Sequence, residues 1–135
     1  MDLFSNPIII SLQKGLDAGA LRQRVIANNI ANVNTPNFKK SAVAFESLLN
    51  KALGQESIAM ITTNPRHFGV TPLLEELQPE VNLNETTSMR TDGNNVDIDE
   101  EMTNLAANGI QYQVIGRELS EQYSLLRYVI TGGKG

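Results

Sequence analysis

The most distinctive polar side chains of this chain are amides. They are concentrated in the segment ANNIANVNTPNFKK. Its closely spaced asparagines are Asn28, Asn29, Asn32 and Asn34. An amide side chain both donates and accepts hydrogen bonds, but it weakens a helix by competing for nearby backbone groups. Two interpretations follow from this. Either the amides end a helix and form a turn, or Asn28, Asn29 and Asn32 point outward and bridge to neighbouring subunits.

Acid–base, nucleophilic and metal chemistry find little support in the sequence. His67 is the only histidine and the chain has no cysteine, so no catalytic triad or zinc site can be assembled. The acidic residues between positions 92 and 101 suggest a calcium loop. An EF-hand starting at Asp92 would, however, place Asp97 where a glycine must turn and Thr103 where a glutamate must bind. We therefore predict a noncatalytic protein without metal or cofactor; a hydrolase would need a second histidine or an activated nucleophile.

The charge and hydropathy of the chain argue against two further kinds of binding. The net charge is −4, whereas nucleic acids and anionic membrane surfaces attract clusters of lysine and arginine. No stretch of the chain approaches the roughly 20 apolar residues that a membrane-spanning helix needs. The sequence therefore predicts neither nucleic-acid binding nor membrane insertion.

The N-terminal part of the chain predicts one long helix. Asn6 followed by Pro7 is a typical helix start, because the amide caps free N–H groups and proline needs none of its own. Pro36 marks the end, since the residue before a proline is pushed out of the helical region. The predicted contact seam, with steps of three and four residues, consists of Ile9, Leu12, Leu16, Gly19, Gln23, Ile26, Ile30 and Val33.

The C-terminal part predicts a second long helix. Asp97 is placed as its N-cap, with Glu100 three residues later in a capping-box arrangement, and Gly132 and Gly133 close it. A periodic run of this length is typical of a coiled coil. Its predicted seam consists of Ile98, Met102, Leu105, Gly109, Tyr112, Gly116, Leu119, Tyr123, Leu126 and Ile130.

The middle of the chain is predicted to be largely irregular. Residues 41–53 have the apolar spacing of a short amphipathic helix, and residues 55–95 contain three prolines and one alternating segment, EVNLN, that predicts a strand. The fold class is therefore mainly α: two long terminal helices form a coiled-coil-like pair around a loop-rich insert, for which a short β-hairpin is an open alternative. The predicted divisions are residues 1–40, 41–95 and 96–135.

One helix cannot bury such seams alone, so they are predicted to meet each other and neighbouring subunits. Glycines at 109 and 116 would let another helix approach closely. The predicted subunit-interface residues are Asn28, Asn29, Asn32, Asn34, Ile26, Ile30, Met102, Leu105, Gly109, Tyr112, Gly116, Leu119, Tyr123 and Leu126.

Two segments of the sequence resemble a known family. ANNIANVNTPNFKK resembles the signature of the flagellar axial proteins of rod, hook and hook-associated type, and DGNNVDIDEEM followed by a long helix is most similar to a proximal rod member. The family usually has glycine and tyrosine where this chain has Asn37 and Phe38. The resemblance implies a structural subunit of the proximal rod of the flagellar basal body, which self-assembles and transmits torque.

The resemblance also implies partners and a location. The partners would be copies of the chain itself, the rod proteins FlgC, FlgF and FlgG, the adaptor FliE, and the export gate and MS ring. The protein would be exported by the flagellar type III apparatus without a cleaved signal peptide and would lie in the periplasmic part of the rod. Two alternatives stay open: another proximal rod protein of the same family, or a soluble coiled-coil adaptor of the export apparatus that forms a closed dimer.

Overall fold

The computed structural model describes residues 6–52, 76–85 and 91–132. Two long helices dominate them, which confirms the predicted mainly α fold with long terminal helices. The elements in chain order are α1 (Pro7–Ala31), β1 (Ser41–Ala44), α2 (Glu46–Ala52), β2 (Glu80–Leu83) and α3 (Ile98–Ile130). His67 and most of the segment predicted to be irregular lie outside the described residues.

Helix α1 begins where the sequence predicts and ends earlier. Asn6 caps it by accepting a hydrogen bond from the Ile8 N–H at 3.0 Å, and Pro7 is its first residue. The helix ends at Ala31 because Asn32 turns its own amide back onto the carbonyl of Asn28. The predicted seam extends to Val33, so the prediction places the helix end about two residues too late.

Helix α3 begins at its predicted N-cap, but the capping box is only half formed. The Asp97 carboxylate accepts hydrogen bonds from the N–H groups of Asp99 and Glu100 at 2.9 and 3.3 Å. The Glu100 carboxylate forms an ion pair with Lys40 at 2.6 Å. Glu100 thus connects the start of α3 to the segment before β1.

The predicted helix over residues 41–53 is wrong in its first part. Strand β1 occupies this position and pairs antiparallel with β2, with Ser41 opposite Leu83 and Ala44 opposite Glu80. The predicted strand at EVNLN is confirmed as β2. The two strands are joined through residues 45–79 rather than by a tight turn, and helix α2 begins only at Glu46.

Helices α1 and α3 pack antiparallel, with small residues of α1 against large residues of α3. A Cβ added to Gly15 would lie 3.4 Å from Ile115, and one added to Gly19 would lie 3.1 Å from the ring of Tyr112. The small apolar core lies beside this helix pair and consists of Ile9, Ala18, Ile26, Val43, Phe45, Leu77 and Val96. No helix among the described residues is long and apolar enough to cross a membrane.

The row of α3 that faces α1 is only partly the predicted seam. Glu101 and Asn108 are buried, whereas their neighbours Met102 and Gly109 are exposed. Apolar spacing favours the row containing Met102, but two buried polar contacts hold the adjacent row against α1. Leu105, Tyr112, Leu119 and Leu126 border both rows, because each lies three or four residues from members of both.

Candidate functional site

Asn29 joins three parts of the fold from inside the protein. It is only 1% exposed, and its Nδ2 donates to the carbonyl of Ser41 at 2.8 Å and to Oε2 of Glu101 at 3.0 Å. Its Oδ1 accepts a hydrogen bond from the Ser41 N–H at 3.0 Å. The hypothesis that Asn29 points outward is therefore wrong, because its amide group forms hydrogen bonds with β1 and α3 inside the protein.

The other three asparagines of the motif lie at the surface of the helix end. Asn32 is half-buried and acts as the C-cap of α1, with its Nδ2 donating to the carbonyl of Asn28 at 2.9 Å. The hydroxyl of Thr35 donates to Oδ1 of Asn32 at 3.2 Å. These bonds favour local turn chemistry for Asn32, and its contact with a neighbouring subunit stays a prediction. Asn28 and Asn34 are exposed.

Asn94 lies in the turn before α3 and binds the backbone at the end of α1. It is completely buried, and its Nδ2 lies 3.1, 3.1 and 2.9 Å from the carbonyl oxygens of Asn32, Val33 and Thr35. Its Oδ1 accepts a hydrogen bond from the Val96 N–H at 2.7 Å. One side chain thus lies within hydrogen-bonding distance of three carbonyl groups at and just beyond the end of α1.

Asn95 joins the two strands of the small sheet by binding the residue before β1 and the residue after β2. It is also completely buried; its Oδ1 accepts from the Lys40 N–H at 2.7 Å and its Nδ2 donates to the carbonyl of Asn84 at 2.9 Å. The carbonyl of Lys40 in turn accepts from the Asn84 N–H. We call Asn29, Asn32, Asn94 and Asn95 the asparagine cluster; it fastens the end of α1, the sheet and the start of α3 together.

The turn after Pro36 keeps a glycine-like backbone without a glycine. Asn37 has φ of 59°, in the left-handed region that asparagine tolerates better than most residues. Its N–H donates to the carbonyl of Asp92 at 2.9 Å. Gly93 has φ of 80°, and a Cβ there would lie 2.6 Å from Oδ1 of Asn37. The departure from the usual Gly-Tyr pair therefore leaves the turn intact.

The sequence interpretation missed Asn94, Asn95, Glu101 and Asn108. A usable signal was present, because two antiparallel helices bring the end of one beside the start of the next. Both of those ends are rich in asparagine, in NNIANVN and in DGNN. Facing amide-rich turns predict mutual capping.

Much of α3 exposes apolar or open surface. Met102 is 52% exposed, and a Cβ added to Gly109 or Gly116 would have nothing within 4 Å. Toward the C-terminal end the large exposed side chains are Leu125, Tyr128, Val129 and Ile130. Of the remaining predicted interface residues, Ile26 is buried; Ile30, Leu105, Leu119 and Leu126 are half-buried; Tyr112 and Tyr123 are partly exposed.

An apolar groove of about 480 Å³ runs between α1, α2 and α3. Leu12, Phe45, Leu49 and Ile115 contribute most of its large apolar side chains, and Arg22 and Glu46 form an ion pair at its edge. Partial burial would raise the pKa of Glu46, but the hydrogen bond and charge of Arg22 lower it below the usual value.

Among the described residues, no three histidine, cysteine, aspartate or glutamate side chains could together hold a metal ion.

Comparison with known proteins places this arrangement in a family. Residues 11–39 match the family described as "Flagella basal body rod protein". The chain is 37% identical to the flagellar basal body rod protein FlgB of Bacillus subtilis over 134 residues, which covers 99% of this chain and 100% of that protein. It is 36% identical to the FlgB protein of Borrelia hermsii, over 96% of this chain and 99% of that protein. It is 35% identical to that of Escherichia coli, over 90% and 91%.

The long helix pair, the amide-rich helix end and these similarities define a structural protein of the flagellar basal body rod. Membership of this class implies assembly with other flagellar rod components, and the class is not known for enzymatic activity. Within it, the chain belongs to the FlgB family.

Proposed function

We propose that this chain is a subunit of the proximal rod that packs against copies of itself through the exposed surface of α3 and transmits torque. The observation that carries the proposal is the surface of α3 at Met102, Gly109 and Gly116, where Met102 is 52% exposed and a Cβ added to either glycine would have nothing within 4 Å. Large apolar side chains on an uncovered helix surface are typical of protein interfaces.

The geometry of the helix pair supports an open assembly. A contact between two different surfaces of identical subunits repeats around an axis and produces a helical assembly rather than a closed dimer. In the proposed contact, the row at Gly109 and Gly116 meets a helix of the neighbouring subunit, because glycine lets the two backbones approach closely. Asn28 and Asn34, which the fold leaves exposed, would add polar contacts at the end of α1.

The finer assignment rests on the likeness to FlgB proteins. The proposed neighbours are FlgC, FlgF and FlgG in the rod and FliE, the export gate and the MS ring at its base. Export through the flagellar type III apparatus without a cleaved signal would bring the chain to the periplasmic part of the rod. A freely soluble adaptor is the competing proposal, and it predicts a stable closed dimer in sedimentation experiments with the purified chain.

Substitution of Gly116 tests the proposed contact. Gly116→Leu should abolish swimming when the variant replaces the natural chain, because a leucine would hold the neighbouring helix away. The monomer should keep its fold and gain up to about 1 kcal/mol, since the site has open space and leucine favours the helix over glycine. Motility in soft agar and thermal unfolding followed by circular dichroism measure the two effects.

Ala107→Leu is the matched control, because Ala107 is exposed and nine residues from Gly116, on the opposite side of the helix. It should leave swimming unchanged. Normal swimming of cells carrying Gly116→Leu would contradict the contact.

A further inference from the structure

The groove between α1, α2 and α3 combines apolar walls with one unsatisfied acceptor that is buried within its lining. Asn108 belongs to its lining and is only 3% exposed. Its Nδ2 donates to the carbonyl of Gly19 at 3.0 Å, while its Oδ1 has no hydrogen-bond partner among the described residues. A buried acceptor without a donor costs free energy, so its presence beside an apolar groove calls for an explanation.

The chemistry of the groove specifies its occupant. The walls at Leu12, Phe45 and Leu49 favour a large apolar group, and the acceptor on Asn108 calls for a donor at the tip of that group. A tyrosine side chain has both features, with an apolar ring and one O–H.

The chain carries a tyrosine that fits this description. Tyr128 is 56% exposed near the end of α3, beside the equally exposed Leu125 and Val129. By contrast, Tyr112 covers Gly19 and the hydroxyl of Tyr123 accepts a hydrogen bond from Gln13. Tyr128 is therefore the tyrosine of the described residues that presents its ring and hydroxyl outward.

The length of α3 prevents Tyr128 from reaching the groove of its own chain. Val114 lies in the groove lining, and Tyr128 follows fourteen residues later on the same continuous helix. This separation corresponds to about 21 Å along the helix axis. Tyr128 can therefore reach this groove only from another copy of the chain.

We propose that the C-terminal end of α3 in one copy inserts Tyr128 into the groove of a second copy. The ring packs on Leu12, Phe45 and Leu49, and the hydroxyl donates to Oδ1 of Asn108 after a small adjustment of the lining side chains. The groove and the helix end are different surfaces, so the contact can repeat from copy to copy around an axis. This inference deepens the proposed self-assembly and rests on it.

Site-specific disulfide formation tests the contact directly, because the natural chain has no cysteine. One full-length copy carries Leu49→Cys in the groove, and a second, size-tagged copy carries Leu125→Cys one turn from Tyr128. Mild oxidation of the mixture should give roughly tenfold more heterodimer than a mixture in which Val81→Cys, exposed on β2, replaces Leu49→Cys. If Leu49→Cys does not fold, Gln111→Cys on the exposed wall of the groove takes its place.

The hydrogen bond is tested in the same assay. Adding Tyr128→Phe to the Leu125→Cys copy should lower the heterodimer yield roughly fivefold, the equivalent of one lost hydrogen bond. The loss should be much smaller when the groove copy also carries Asn108→Leu, which removes the acceptor. An equal loss in both backgrounds would show that the hydroxyl does not bind Asn108.

Other outcomes separate this inference from the proposal it rests on. Equal disulfide formation with Leu49→Cys and Val81→Cys, or mainly Leu125→Cys homodimers, would overturn the groove contact. Either result leaves self-assembly standing if the unmodified chain still polymerises in sedimentation experiments. A chain that sediments as a monomer at every concentration, alone and with rod partners, would contradict self-assembly itself.

Discussion

Replacing Asn94 by alanine is expected to lower the free energy of unfolding of the isolated chain by about 3 kcal/mol. The substitution removes the donor shared by the carbonyls of Asn32, Val33 and Thr35, together with the acceptor for the Val96 N–H. Asn94 is completely buried, and its bonds to the three carbonyl groups are partly buried. Urea unfolding followed by circular dichroism measures the loss.

Asn34→Ala is the matched control for this experiment. Asn34 lies in the turn that Asn94 binds, but it is exposed. Its replacement should change the free energy of unfolding by less than about 0.5 kcal/mol. If Asn94→Ala were no more destabilising than Asn34→Ala, the asparagine cluster would not hold the two helix ends together.

A second large effect is expected at Asn29. Asn29→Leu nearly conserves side-chain size but leaves the buried Glu101 without its amide partner and removes two bonds to Ser41. The loss should be about 3 kcal/mol, since buried polar groups that lose their hydrogen-bond partners are destabilising. Helix propensity by itself predicts the opposite sign, because leucine is a better helix former than asparagine.

A double-mutant cycle isolates the Asn29–Glu101 contact. Asn29→Leu combined with Glu101→Leu should recover a large part of the loss, because both polar partners are then replaced by apolar groups. Asn28→Leu, one residue earlier and exposed, is the control and should have little effect on unfolding. Additive losses in the cycle would mean that the two side chains do not interact energetically.

These contacts matter for a rod subunit because they fix the position of α3 beside α1. Torque passes through a rod only if each subunit keeps its shape under load. The asparagine cluster and the Lys40–Glu100 ion pair join the end of α1, the sheet and the start of α3. The C-terminal half of α3 has few such contacts and offers exposed side chains to neighbours.

Elements with local sequence signals could be predicted without the structure. Asn6 with Pro7 and Asp97 with its acidic first turn set both helix starts, because capping depends on side chains within a few residues. The length of the periodic segments predicted two long helices, and the alternation in EVNLN predicted β2. The asparagine motif identified the family before any fold was known.

The pairs of residues that face one another could not be predicted in this way and are known from the folded structure. Spacing of three and four residues marked one side of α3 but could not distinguish the row of Met102 from the adjacent row of Glu101. The choice depends on partners far away in the chain: Asn29 binds Glu101, and the Gly19 carbonyl binds Asn108. Likewise, Ser41 begins a strand instead of a helix because Asn29 binds its N–H and its carbonyl. Such contacts join residues that folding brings together, so no pattern within a short segment reveals them.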